Sequence, residues 1–488
     1  MDKIQHFTST LNLIDFDANV LAPEGSTAAR AKRVGFLSSE LFSLKISDEM
    51  KNHLELLAPN LDKLDVETSA MYRICKKFYD NNINVPPEKV GEYNELKTKS
   101  HMVWAKARKE NDFASFAPFL SSIVEMRKEM LSYRGSSTHP YDQLLDEFEE
   151  GLTMADCDKF FAELKKAIVP LLQRVVNSPK KISDSFKNLP VCLHEQRRIS
   201  DFVARKVGYD LNRGLIMESV HPFCLGTDRD DVRITTRYLE NDFLDSLYCV
   251  LHESGHAIYE QNKMDSIANT ILDYGVSMGI HESQSRFYEN VLGRSKEFWE
   301  YITDELKTYL PESFKGITAY MFYEAANITK PSLIRVEADE VTYNLHIMLR
   351  YEIEKLIFTE NIDVNELPKI WNEKTKEYLG LTPQSDSQGI LQDVHWSLGY
   401  MGYFPSYSIG SALAVQLHHY MMKANINVPE LVRRGDFATI TEWLNKEIHS
   451  HGSIYPPKEL IKRVTGESLS PQYYIDYLTQ KVNAVYGL

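Results

Sequence analysis

Three observations predict a mainly α-helical protein built as one large, two-lobed helical body. Helix-period runs with charged faces fill most of the chain, as in Asn94 to Glu110 and Pro368 to Tyr378. Stretches that alternate with period two are few. No Pro/Gly/Ser-rich linker, fixed-period repeat or low-complexity tract divides the sequence. The length of 488 residues would allow two or three domains, but without a linker residues 1–488 are expected to form one. The clearest strand candidate is Asp231-Val232-Arg233-Ile234-Thr235-Thr236-Arg237-Tyr238, β-branched and alternating, preceded by the turn-rich Leu225-Gly226-Thr227-Asp228. One short β-hairpin is therefore expected within the helical body.

Composition bounds the partners. The chain is 43% hydrophobic and 25% charged, which is ordinary globular composition with enough apolar mass for a large core. Lys+Arg 55 against Asp+Glu 69 leaves a formal net charge of −14, so the surface as a whole repels polyanions. Nucleic acid and anionic membrane are poor partners. Cys75, Cys157, Cys192, Cys224 and Cys249 are odd in number, far apart and never in C-x-x-C, so neither a disulfide framework nor a thiolate zinc site is written here. The stretch from Met1 to His6 has no basic segment followed by an apolar run, and no apolar segment approaches the ~20 residues of a membrane span. A soluble, cytoplasmic protein is expected.

Leu251-His252-Glu253-Ser254-Gly255-His256 contains H-E-x-x-H. With 15 histidines in the chain, chance would produce the motif about 0.04 times. No proline lies between Pro222 and Pro311, and Asn241 or Asp242 is placed to cap a helix whose residues Phe243, Leu247, Val250, Leu251 and Ile258 share one broad apolar face. At about 100° per residue, His252 and His256 lie only ~40° apart on the other side. Both imidazoles can therefore meet one ion. Two histidines and a carboxylate leave a coordination position for water, as hydrolysis requires, whereas a structural zinc site closes with four protein ligands.

A third ligand is expected from a following helix. Glu282 lies 26 residues beyond His256, enough for the first helix to end and a second to return, with Gly293 stopping the second. On it Ile280, Phe287 and Val291 form one stripe and Glu282, Arg286 and Glu289 the opposite one. An ordinary solvated face, with Glu282 paired to Arg286, would give the same spacing. His281 is a competing ligand candidate.

At these residues the chain resembles the carboxypeptidase Taq family of metallocarboxypeptidases. The resemblance runs through ordered blocks: Pro140-Tyr141-Asp142-Gln143-Leu144-Leu145-Asp146, His221-Pro222-Phe223, Asp231 to Tyr238, the H-E-x-x-H helix with Tyr259-Glu260-Gln261, and His281-Glu282-Ser283-Gln284-Ser285-Arg286. It continues through Ile334-Arg335-Val336-Glu337-Ala338-Asp339-Glu340, Gln392-Asp393-Val394-His395-Trp396 and Gly402-Tyr403-Phe404-Pro405-Ser406-Tyr407. The stretch Ile14-Asp15-Phe16-Asp17 departs from the family, which usually has tryptophan just before the first acidic residue there. Membership implies a nearly all-α fold with a deep active-site cleft, similar to neurolysin and angiotensin-converting enzyme, formed by one catalytic domain. It also implies removal of single residues from the free C-terminus of peptides, and often a homodimer. By the matched motifs His252, His256 and Glu282 are the metal ligands, for one zinc ion per chain, and Glu253 is the general base. Cobalt or manganese would also suit two imidazoles and a carboxylate.

Other roles follow from this chemistry. A phenol or imidazole is needed to stabilise the tetrahedral oxyanion, and Tyr407, then His221, are the candidates. An exopeptidase must recognise a terminal carboxylate, for which the guanidinium fork is suited, and the family motif points to Arg335. On composition alone Arg335 would pair with Asp339 on a helix surface. Tyr403 and Arg233 are further substrate-binding candidates, the latter on a strand whose edge could hold the peptide backbone. His395 and Trp396 either shape the cleft or pack the core. The competing functions are a dipeptidyl carboxypeptidase or oligopeptidase of the same chemistry, and a non-catalytic peptide-binding scaffold.

Overall fold

The computed structural model describes residues 2–360 and 362–488; Met1, within the N-terminal stretch read above, and Asn361 lie outside the described residues. Among the described residues the chain forms twenty α-helices and one three-stranded sheet. The helix-period runs lie inside helices Pro87–Glu110 and Leu367–Leu379. The first of these stops at Asn111, which adopts a left-handed conformation, and Asp112 then accepts from the Ser115 amide to start helix Phe113–Ser132. No described helix is long and apolar enough to cross a membrane.

The chain folds into two compact units, each assembled from three separated stretches, so no single linker marks a boundary in the sequence. The first comprises the chain up to Tyr79, Ile182–Ala326 and Leu413–Leu469. Its sheet has β1 (Ile216–Glu218), β2 (Cys224–Asp228) and β3 (Asp231–Thr236) in the order β1-β3-β2. The hairpin is β2 with β3, antiparallel, but Leu225 to Asp228, expected as the turn, belong to strand β2 and the turn falls at Arg229 and Asp230; the sequence reading also missed β1, which pairs parallel to β3 with Ile216 opposite Ile234. Three residues are too few to display a period. β3 also ends two residues earlier than expected, because Arg237 turns away to a bidentate pair with Asp245, Nε–Oδ2 2.8 Å and Nη2–Oδ1 2.8 Å. Val232 and Ile234 of β3 are fully buried, and β3 packs against helix Phe243–Gln261.

The second unit comprises Asp80–Lys181, Asn327–Ala412 and Ser470–Leu488. Helix Glu340–Thr359 runs through its core and is buried on nearly every side, with Leu345, Ile347, Met348, Leu349 and Ile353 all at most 1% exposed. Helices Met154–Val176 and Leu367–Leu379 pack against it. Asp339 caps its start, accepting from the Val341 amide at 3.0 Å and from the Thr342 hydroxyl at 2.7 Å.

Candidate metal centre

The H-E-x-x-H helix forms where its sequence calls for it. Asp242 caps it, accepting from the Asp245 amide at 3.2 Å, and Phe243, Leu247, Val250, Leu251 and Ile258 are fully buried along one face. Facing away from them, His252 and His256 sit one turn apart with ring centroids 4.9 Å from each other.

Helix Met278–Arg286, capped by Ser277, returns beside it as the 26-residue interval allows. The approach is close because residue 255 is glycine. A Cβ there would fall 2.6 Å from the Gln284 carbonyl oxygen and 2.7 Å from the Ser285 Cα. Glu282 thereby reaches the histidines: its Oε2 is 3.7 Å from His252 Nε2 and 3.6 Å from His256 Nε2. Ligand atoms of the three residues all lie within 4.8 Å of one another. Donors ~2.0–2.1 Å from a tetrahedral zinc stand ~3.4 Å apart, so this donor set matches such an ion with small adjustments.

The polar stripe carrying Glu282 is not a solvated face. After Arg286 the helix widens into a π turn, Phe287–Leu292, ending at Gly293, and Glu282 and Glu289 are both buried. His252 Nδ1 is 2.9 Å from Glu289 Oε2, which also accepts from Arg286 Nη1 at 2.8 Å, while Arg294 reaches the other Glu289 oxygen at 3.2 Å. Arg286 also donates through Nε to Glu282 Oε1 at 2.7 Å, so the pairing of Glu282 with Arg286 coexists with a ligand position. Burial opposes ionisation of both glutamates. Arg286 with His252 and His256 at Glu282, and Arg286 with His252 and Arg294 at Glu289, overcome it and hold both carboxyls well below their usual range.

Glu253 differs from its neighbours. It is 6% exposed, yet among the described residues its carboxylate accepts no hydrogen bond, and burial, with Glu282 and Glu289 nearby, pushes it up to about 7 against the pull of His252. His281, the competing ligand, points elsewhere: its Nδ1 is 2.5 Å from His256 Nδ1 and its Nε2 is 2.7 Å from Glu260 Oε1.

The other candidates divide between the units. In the first, His221 is exposed in the bend before β2, its carbonyl accepting from the Ser219 hydroxyl at 2.6 Å. Arg233 is held by Asp231 through Nε and Nη2, each at 2.7 Å, with its guanidinium carbon 5.1 Å from the centre of the buried Phe16 ring.

In the second unit Arg335, Tyr403 and Tyr407 come together. Arg335 lies in a single turn, Arg335–Glu337, not on a helix surface, and its partner is Asp393 (Nε–Oδ1 2.8 Å), since Asp339 is occupied as a cap. Its Nη1 donates to the Tyr343 hydroxyl at 3.0 Å, and its guanidinium carbon stands 5.0 Å from the Tyr407 ring centre. Asp393 also accepts from the fully buried Arg350 at 2.6 Å, so two guanidinium groups share one carboxylate. The Tyr407 hydroxyl is 3.0 Å from His395 Nε2, and the Tyr403 ring packs on Tyr407 at 5.1 Å. Burial, with Arg335 close by, pushes the His395 imidazole down to about 3. Trp396 is a core residue, 5% exposed, donating to Glu354 Oε1 at 2.7 Å.

Sequence reasoning quoted Glu260, Glu289 and Asp393 without giving them work. The signal was present for Glu289, which shares the stripe of Glu282; for Asp393 it was only the rule that a buried arginine needs an acceptor.

Residues 1–482 match the family model described as carboxypeptidase Taq (M32) metallopeptidase. The chain is 42% identical over 488 residues to carboxypeptidase 1 of Bacillus subtilis (100% of this chain, 97% of that protein), and 37% identical over 474 residues to thermostable carboxypeptidase 1 of Pyrococcus furiosus (96% and 94%). The crystal structure of the M32 carboxypeptidase from Deinococcus radiodurans superposes with a TM-score of 0.95 at 33% identity, covering 100% of this chain and 98% of that one. With a nearly all-helical fold and an H-E-x-x-H helix whose histidines meet a glutamate of the next helix, the chain belongs to the carboxypeptidase Taq (M32) metallopeptidases and is a metallocarboxypeptidase.

Proposed function

We propose that this metallocarboxypeptidase releases single amino acids from the free C-terminus of peptides, with one zinc ion per chain and Glu253 as general base. Cobalt or manganese would serve the same ligands. The observation that carries the reading is the buried, unengaged Glu253 beside the triad His252, His256 and Glu282. The metal held there supplies Lewis acidity to the scissile carbonyl and to a water. Glu253 accepts the water's proton and delivers it to the departing amine. Tyr407, and His221 after it, are the proposed donors to the developing oxyanion. Arg335 is the proposed partner of the substrate's terminal carboxylate: the cluster in which Arg335 and Arg350 share Asp393 carries one cation more than it has carboxylates hydrogen-bonded to them. Tyr403 and Arg233 are proposed to contact the peptide. The two units are proposed to act as one catalytic domain, in a cytoplasmic homodimer. A native mass near that of one 56.3 kDa chain at micromolar concentration would refute the dimer.

Peptide digestion followed by mass spectrometry tests the activity. A ladder of products losing one residue at a time is expected from free-acid peptides; release of dipeptides, or internal cleavage, would overturn single-residue release.

A further inference from the structure

The two histidine ligands are supported differently. His252 meets a carboxylate directly, Glu289. His256 meets another imidazole: its Nδ1 lies 2.5 Å from His281 Nδ1, whose Nε2 lies 2.7 Å from Glu260 Oε1. Glu260 is paired in turn with the buried Lys263, which also donates to the Asp273 carbonyl at 2.9 Å. Against the cost of burial, Lys263 and His281 hold the Glu260 carboxyl down at about 2, so it is an acceptor only.

The direction of each bond in this chain follows once His256 Nε2 is the ligand atom proposed above. A carboxylate can only accept, so the His281 Nε2 carries the proton of that bond. The short contact to His256 requires one donor and one acceptor, and an imidazole that offers Nε2 to a metal carries its proton on Nδ1, so His256 donates and His281 Nδ1 accepts. His256 Nε2, the nitrogen 3.6 Å from Glu282, is left with its lone pair toward the ligand group. The His281 ring is held in place for this. It packs at a tilt against Tyr259, ring centres 5.1 Å apart, and Gly275 leaves it room, since a Cβ at residue 275 would fall 2.5 Å from the His281 Cδ2.

We propose that His281 and Glu260 are positioning residues that select the tautomer and ring orientation of the ligand His256 through a histidine-to-histidine hydrogen bond. The inference rests on the ligand set proposed above. Partners of this kind are worth about 10–100-fold in metal affinity.

The test measures zinc affinity by competition with a chromophoric chelator, together with the visible spectrum of the cobalt(II) protein and the thermal stability of the metal-free protein. His281→Phe keeps a ring against Tyr259 but has no acceptor. His281→Asn places its amide oxygen near the former Nδ1 and keeps the acceptor while losing the ring. The expected result is a 10–100-fold loss of affinity and an altered cobalt spectrum in His281→Phe, with most of the affinity recovered in His281→Asn. If the ring only fills space, the order reverses, and that reversal, or affinity within two-fold of wild type in both variants, overturns the proposal. His256→Ala is the control. If it binds zinc as tightly as wild type, the ligand set itself is wrong and the inference falls with it; if it loses zinc while both His281 variants keep it, the inference alone fails.

Discussion

The work of individual residues at this site is separated by what already engages them. Glu282, Glu289 and Glu260 are each paired with an arginine or lysine, whereas Glu253 is buried without a hydrogen-bonding partner among the described residues. Glu253→Gln is therefore expected to bind metal like wild type and to lose hydrolysis by about 10²–10⁴-fold, since the amide keeps the shape but takes no proton. Metal analysis alongside kcat/KM checks it, and wild-type turnover would remove Glu253 as the base. For Arg335 the competing partner is not Asp339 but Asp393, and the question becomes whether the guanidinium also binds substrate. Arg335→Lys keeps the charge but not the fork. With free-acid and amidated peptides against the two enzymes, a contact to the terminal carboxylate predicts an interaction term of about 1.5–3 kcal/mol. A term near zero would leave Arg335 a structural residue that holds Asp393.

Among the elements, legibility followed the length of the repeating signal. The helix Phe243–Gln261 and the returning helix with Glu282 are readable because each extends over several turns or rests on a fixed spacing, while the cap is narrowed only to Asn241 or Asp242, and Asp242 takes it. β1 was not, being three residues paired only through β3. The alternative pairing of Arg335 with Asp339 fails for another reason: charges at i and i+4 suggest a helix, but Ala338 is extended and the partner is Asp393, 58 residues away. Nor did the motif reveal why its unspecified position is glycine. That position makes a prediction about the helix pair. In an exposed helix interior, replacing glycine with alanine stabilises by roughly 0.5–1 kcal/mol. At Gly255 the added Cβ meets backbone of the other helix at 2.6 and 2.7 Å, which only a shift of that helix can relieve. Gly255→Ala should instead cost about 1–3 kcal/mol in denaturant unfolding of the metal-free protein. It should also weaken metal binding, because the same shift withdraws Glu282. A more stable variant would contradict the close crossing.

For the molecule as a whole, the dependence of stability on pH should be governed by buried ionisable groups more than by the net charge of −14. Glu354 isolates one such contribution in the second unit, to which none of the proposed ligands His252, His256 and Glu282 belongs. It is fully buried in helix Glu340–Thr359 and accepts from the Trp396 indole at 2.7 Å, the Tyr141 hydroxyl at 2.8 Å and the Gly402 amide at 2.8 Å. Burial outweighs these donors and the attraction of Arg350, and pushes its carboxyl from 4.5 up to about 7. Because the folded value lies above the unfolded one, the folded protein holds an extra proton between these two pH values, and stability falls as pH rises through that window. The gap from 4.5 to about 7 corresponds to about 3 kcal/mol. Glu354→Gln has no charge to bury at any pH, so the stability difference between wild type and variant isolates this group. Measured by urea unfolding, the advantage of wild type over the variant should shrink by about 2–3 kcal/mol from pH 5 to pH 8. An advantage that stays flat or grows would mean that the three donors already keep Glu354 ionised at pH 5. Its carboxylate would then stabilise the core as an acceptor, and its burial would not be felt as a cost at neutral pH.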